Sequence, residues 1–254
     1  MFSLQGRVAL VTGASSGLGH RFARVLAAYG AKVIVAARRA DKLAELVREI
    51  EADGGVAAAV EMDVSDQASI ASSFDEVEKP FGTASILVNN AGIAKRGSVV
   101  DFSPEDWRAI MDVNLDGVWY VGQESARRMI AANVAGSIIN IASILGRRVA
   151  ATMTGYAVTK AAVIQMTRSM AVELARNNIR VNAIAPGYIL TDINSAFFET
   201  DQGKAMIEVI PQRRIGAPSD LDGTLLLMAS DKAAGFMTGT TITVDGGHVL
   251  AFPR

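Results

Sequence analysis

The chain has 254 residues, half of them hydrophobic, with 25 lysines and arginines against 26 aspartates and glutamates, a net charge of -1 and no cysteine. So even a balance, with acids and bases interspersed, leaves no electrostatic footprint for nucleic acid, and the missing thiols exclude disulfides, thiolate nucleophiles and cysteine-ligated zinc. The two histidines, His20 and His248, have no second histidine at ligand spacing, so no metal site is expected.

In chain order, the opening stretch MFSLQGRVALVTGASSG holds too short an apolar run for a secretory signal, and no later run approaches the roughly 18 apolar residues of a membrane span. The expectation is a soluble, unprocessed protein away from membranes, and the lack of cysteine suits a reducing cytoplasm. Short β-branched runs follow: RVALVT (7–12), KVIVAA (32–37), VAAAVEMDV (56–64), SILVNN (85–90), GSIINIAS (136–143), IRVNAIAP (179–186) and TITVDGG (241–247). Strands apolar on both faces and separated by helical stretches predict a parallel sheet covered on both sides. The fold class is therefore α/β: one doubly wound Rossmann-type domain over 1–254, with a seven-stranded, mainly parallel sheet. Ser103-Pro104-Glu105-Asp106 supplies a capping serine, an early proline and first-turn acids, and starts a helix expected from Trp107 to about Ala132, with room for a bend. The irregular interval 187–218, containing Phe197 and Phe198, reads as a lid or substrate-binding loop.

TGASSGLG (12–19) directly follows the first strand and opens the first helix. Gly13, Gly17 and Gly19 leave room for a tight turn and for a pyrophosphate near the backbone, with Ser15, Ser16 and Leu18 between them, and the helix N-terminus offers free N–H groups. The second strand ends in Ala36-Ala37-Arg38-Arg39, where an NAD binder would carry an acid for the ribose 2′-hydroxyl. Two guanidinium groups there suit a 2′-phosphate and favour NADP(H); Ser16 adds no second positive charge, so NAD stays open. Asp63, with Val64 beside it, sits past the third strand, where its carboxylate can accept from an adenine amino group.

In GYAVTK (155–160), Tyr156 and Lys160 are four apart and share one helix face. Hydride transfer to a carbonyl leaves negative charge on oxygen and needs a donor and a proton source there. Ser143 can polarise the carbonyl while Tyr156 gives the proton. Bringing a tyrosine from a pKa of about 10 to about 7 takes roughly 4 kcal/mol. One ammonium at about 4 Å, at an effective dielectric near 20, supplies about that, so Lys160 is expected to lower the Tyr156 pKa.

With these residues in view, the chain resembles the short-chain dehydrogenase/reductase family over nearly its whole length, including its 3-oxoacyl-carrier-protein reductases. Thr12-Gly13-x-x-x-Gly17-x-Gly19 resembles that family's cofactor loop, and Asn89-Asn90-Ala91-Gly92 its fourth-strand motif beside the cofactor. Asn114, Ser143, Tyr156 and Lys160 fall where the resemblance implies a catalytic tetrad, Lys160 also holding the nicotinamide ribose and Asn114 anchoring a water that relays protons. Pro186-Gly187, Ile189 and Thr191 resemble the segment that contacts the nicotinamide carboxamide.

The expected activity is NADPH-dependent reduction of a ketone or 3-oxoacyl carbonyl, reversible as an alcohol dehydrogenase. The alternatives are an NAD-linked sugar, polyol or secondary-alcohol dehydrogenase and, from another class, a non-catalytic dinucleotide-binding sensor or scaffold. An apolar substrate pocket is expected from Ile93, Ile144, Met153, Tyr188, Phe197 and Phe198 beside Ser143. Lys95, Arg96, Arg147 and Arg148 follow strands four and five and read either as a solvated rim or as contacts for an anionic or thioester-bearing substrate. The apolar residues of helix 155–175 (Val158, Ala162, Ile164, Met166 and Met170) fall at mixed phases, which a homodimer or homotetramer would explain, the tetramer being what the resemblance implies. Phe252 is expected either at a subunit contact or in the core.

Overall fold

The computed structural model describes residues 1–191 and 194–251, so Phe252 lies outside the described residues. In chain order the elements are β1 (Val8–Thr12), α1 (Gly17–Ala28), β2 (Lys32–Ala37), α2 (Ala40–Ala52), β3 (Val56–Glu61), α3 (Gln67–Phe81), β4 (Ile86–Asn89), α4 (Pro104–Met111), α5 (Gly117–Ala131), β5 (Gly136–Ile141), α6 (Thr154–Leu174), β6 (Ile179–Pro186), α7 (Ser195–Glu199), α8 (Asp201–Glu208), α9 (Asp222–Ala229), α10 (Asp231–Ala234) and β7 (Thr241–Val244). The seven strands run in the order β3-β2-β1-β4-β5-β6-β7, and every pairing is parallel.

Alternation along each strand builds two cores. Ala9, Val11, Val33 and Val35 point to the face covered by α1, α2 and α9, where Phe22, Leu46 and Leu225 pack. Val8, Leu10, Ile34 and Ala36 point to the opposite face, covered by α3, α5 and α6 through Phe74, Val121 and Met170. Strands buried on both faces are why these runs are continuously apolar rather than alternating.

The strand order reverses between β1 and β4, so the loops leaving their carboxyl ends diverge and open a crevice. The expected helix over 107–132 starts earlier, at Pro104, with Ser103 Oγ accepting from the Asp106 N–H. Its bend is a π-helical turn over Asp112–Asp116 that joins α4 to α5 and contains Asn114. The interval 187–218 holds α7 and α8, and its two ends are pinned by Leu190 N–H to Gly216 O (2.7 Å) and Gly216 N–H to Tyr188 O (3.0 Å). Among the described residues no helix is long and apolar enough to cross a membrane, and no group of His, Asp and Glu is placed to hold a metal ion.

Candidate active site

The crevice is a cleft of about 880 Å³ across the carboxyl ends of the strands. At its floor, the loop between β1 and α1 turns at Gly13 and Gly17, both with positive φ (64° and 58°), a region glycine occupies without a Cβ penalty. A Cβ on Gly13 would stand 2.8 Å from Ala91 Cα, and one on Gly19 2.4 Å from Gly13 O, so these positions leave no space for a side chain. Thr12 Oγ1 accepts from the N–H groups of Asn90 (3.1 Å) and Ala91 (3.2 Å), and Asn90 Nδ2 donates to Thr12 O (3.0 Å). These bonds clamp the β4 loop to the glycine loop. At the start of α1, Ser16 makes no side-chain capping bond, leaving first-turn N–H groups to face the cleft.

Arg39 reaches back over this loop, donating to Ser15 Oγ (2.8 Å) and Ser16 Oγ (3.0 Å). Arg38 instead faces Asp63 at 3.9 Å. Burial pushes the Asp63 pKa up, but hydrogen bonds from Ser65 and the charge of Arg38 outweigh it and hold the carboxyl below its usual range. The two arginines thus differ: one joins two hydroxyls at the cleft end, the other is balanced by an acid.

At the other end, Ser143 Oγ accepts from the Leu145 N–H (3.1 Å) and stands beside the Tyr156 phenol, whose charged form it favours. Lys160 is 3% exposed; its Nζ donates to Ile141 O at 2.8 Å and sits 5.5 Å from the centre of the Tyr156 ring. Burial pushes the Lys160 pKa down to about 8. Burial also raises the Tyr156 pKa, opposed by Ser143 and reinforced by Tyr188. Desolvation of the phenol sets this direction, while the Lys160 ammonium is held on the Ile141 carbonyl.

Asn114 is fully buried, and its amide pairs with the Ile93 backbone at both ends, Ile93 N–H to Oδ1 and Nδ2 to Ile93 O, each 2.8 Å. Nδ2 also donates to Thr159 Oγ1 at 3.4 Å. The side chain thereby fixes the β4 loop against α6.

The cleft brings together Gly13, Ser15, Ser16, Gly17, Leu18, Arg38, Arg39, Asp63, Val64, Asn90, Ala91, Gly92, Ile93, Ser143, Tyr156, Lys160, Pro186, Gly187, Tyr188, Ile189 and Thr191. Gly19 and Asn114 support it from behind. The expected apolar pocket is only partly formed. Ile144 lines a separate side cavity, Met153 packs with Leu145 and Ala157, and Phe197 and Phe198 meet edge to face (5.1 Å), as do Phe198 and Tyr188 (5.9 Å). The reason is the short helical turn Ile144–Gly146, which carries the residues after Ser143 away from the cleft. Lining residues that sequence reasoning missed include Met62, Val113 and Asn194; the first two adjoin Asp63 and Asn114, which is the one signal they carried. Asn194 buttresses the far wall, accepting from the Thr191 N–H and donating to Ile189 O, both at 2.8 Å.

A family model described as enoyl-(acyl carrier protein) reductase matches residues 13–248. A 3-oxoacyl-[acyl-carrier-protein] reductase of Synechocystis sp. is 38% identical over 98% of this chain and 100% of its own length. A 5-keto-D-gluconate 5-reductase of Escherichia coli is 36% identical over 99% of this chain and 98% of its own. Among solved structures, a gluconate 5-dehydrogenase from Burkholderia cenocepacia in complex with NADP and tartrate is 40% identical, with a TM-score of 0.94 over 99% of this chain and 98% of that one. With the parallel sheet, the glycine loop at its switch point and the serine, tyrosine and lysine in one cleft, the chain belongs to the short-chain dehydrogenase/reductase family.

Proposed function

We propose that the protein is an NADPH-dependent reductase of a ketone or 3-oxoacyl carbonyl, working in reverse as an alcohol dehydrogenase. The observation that carries this is one cleft holding Ser143, Tyr156 and Lys160 at one end and Arg39 on two serine hydroxyls at the other. The residues fit a dinucleotide: side-chain-free backbone at Gly13, uncapped N–H groups at the start of α1, and a guanidinium with hydroxyls where a ribose phosphate would lie. NADP bound to the Burkholderia neighbour supports the same choice. Asn90, Lys160 and the Pro186–Thr191 stretch would hold the nicotinamide half. When bound, the cofactor supplies the hydride, with both electrons, to the carbonyl carbon.

The chain's own residues complete the step. Ser143 Oγ accepts from the Leu145 N–H, and its O–H, which favours the Tyr156 phenolate, would donate to the carbonyl oxygen when substrate is bound. Tyr156 transfers its proton to that oxygen as the alcohol forms. A phenol whose pKa is raised by burial is protonated at neutral pH, the state that reduction requires. Lys160 faces the ring and stabilises the phenolate left behind. Asn114 holds the Ile93 loop in register with Lys160. The 187–218 segment serves as the substrate-facing loop, contributing Tyr188 and Asn194 to the cleft. The test is Tyr156→Phe with NADPH and a panel of ketones, 3-oxoacyl thioesters and keto sugars: turnover should fall about a hundredfold or more, and unchanged turnover would overturn the assignment.

A homodimer or homotetramer belongs to the same reading. Val172, Phe236 and, on α4 and α5, Trp107 and Trp119 stay exposed on the single chain. Sedimentation of a monodisperse monomer at micromolar concentration would remove this part.

A further inference from the structure

After β7 the chain folds into a tight turn over 245–250, and three segments around the cleft meet on it. The turn is built around Asp245, whose carboxylate accepts from the Gly247 N–H (2.9 Å) and the Val249 N–H (2.6 Å). On one side it receives the stretch after β6. The Gly187 N–H donates to Val244 O (2.9 Å), a Cβ on Gly187 would stand 2.6 Å from Asp245 Cβ, and the Tyr188 and His248 rings lie 5.4 Å apart. On another side the Gln212 N–H donates to Gly246 O at 3.2 Å, which ties in the far end of the 187–218 interval.

The third contact comes from the serine side. Arg148, half-buried, donates through Nη1 to His248 O at 2.7 Å. Among the described residues this is the one hydrogen bond between the 144–150 segment and the 245–250 turn. Arg148 is in turn fastened to Ser143. Its own N–H and that of Arg147 donate to Ile144 O (2.9 Å each), the Gly146 N–H donates to Ser143 O (3.0 Å), and the Leu145 N–H donates to Ser143 Oγ (3.1 Å). A displacement of Arg148 is therefore a displacement of the short turn that carries the Ser143 hydroxyl. Bonds with an ionised donor are among the strong ones, and this one joins two turns that no strand ladder holds together. Arg147 is placed differently. It is exposed, and its bond to Thr241 O (3.0 Å) ends on β7, which the ladder with β6 already fixes.

We infer that Arg148 is a positioning residue of the active site: through the 245–250 turn it fixes the Ser143 hydroxyl relative to Gly187 and Tyr188, the wall that would carry the nicotinamide. This rests on the carbonyl-reductase reading of the cleft. Polarising a carbonyl oxygen and delivering hydride to its carbon work together only when the hydroxyl and the nicotinamide keep one separation. A misplacement of about 1 Å in such a site costs about a hundredfold in rate. Arg148 does not line the cleft; it removes slack between two loops that do. Its loss should therefore slow the chemical step more than it weakens binding.

The experiment has two readouts. Amide hydrogen exchange of the nucleotide-free protein follows segments 145–148 and 187–190. Stopped-flow single turnovers of the NADPH-loaded protein with a ketone give the rate and the amplitude of NADPH oxidation. In Arg148→Met both segments should exchange about tenfold faster or more. The single-turnover rate should fall about tenfold, with its amplitude and the calorimetric stoichiometry of NADP⁺ binding unchanged. A partly unfolded variant would lose amplitude and keep the rate. Arg148→Lys, which retains a charged donor, should recover most of both effects. Asp245→Ala should reproduce Arg148→Met, and the double variant should be no slower than the slower single one, since both undo the same link. Arg147→Met should match the wild type. Faster exchange at 145–148 alone, an unchanged single-turnover rate, or a lysine variant no better than methionine would overturn the inference and leave the reductase reading intact. Joint loosening of the two segments in a protein that reduces no carbonyl would support the link and remove the reductase reading instead.

Discussion

Lys160→Met separates the cost of the candidate site from its use. The ammonium is 3% exposed, its hydrogen bond among the described residues runs to Ile141 O, and burial lowers its pKa from 10.5 to about 8. A drop from 10.5 to about 8 corresponds to about 3 kcal/mol. Because the folded pKa lies below the unfolded one, the unfolded chain holds the proton more tightly between about pH 8 and 10.5, and wild-type stability rises with pH through that window. Below pH 8 the full penalty applies. Methionine removes the charge but strands the Ile141 carbonyl, at about 1–2 kcal/mol. The variant should therefore be about 1–2 kcal/mol more stable than wild type at pH 7, and less stable by the lost bond near pH 10.5. The gap between the two should move by about 3 kcal/mol. Urea unfolding of both nucleotide-free proteins at unit pH steps from 7 to 10, at one protein concentration, measures this. Parallel stability curves would refute the reasoning, since they would mean that the lysine titrates alike in folded and unfolded chains. Carbonyl reduction should be lost in the variant, as expected where a group that costs stability serves the chemistry.

Other perturbations address the remaining parts of the cleft. Arg39→Ala should raise KM for NADPH by about tenfold or more while sparing NADH, because it removes a charged donor set on Ser15 and Ser16. Arg38→Ala, removing a group already balanced by Asp63, should change the NADPH to NADH ratio far less, and the opposite ranking in initial-rate assays would refute the division between the two. Asn114→Leu strands both polar groups of the Ile93 backbone and should cost about 2–5 kcal/mol in denaturant unfolding. A loss under about 1 kcal/mol would mean that those bonds are replaced by water.

The sheet could be read in the sequence because its inner strands β1, β4, β5 and β6 are buried along their whole length, a pattern that a doubly covered parallel sheet requires. Strand ends could not, because they depend on the neighbour: the run 56–64 leaves the ladder after Glu61, opposite Ala37, the last residue of β2. The run 85–90 likewise ends at Asn89, since the Asn90 N–H is taken by Thr12 Oγ1. Tyr156 and Lys160 were legible through the helical period. The partner of the ammonium was not, because Ile141 offers a backbone carbonyl, which every residue has.

The same limit explains the substrate side. Ile144 and Met153 have the right chemistry for a pocket, but the turn after Ser143 sends one to a side cavity and the other into a small core cluster. Arg148 and His248 are a hundred positions apart in the chain and meet only when the segment after β7 folds back over the 148–150 turn. Residues acting on the cofactor repeat a spacing because a strand, a tight turn and a helix must follow one another there. Residues acting on the substrate face it from separate loops, where no period binds them together.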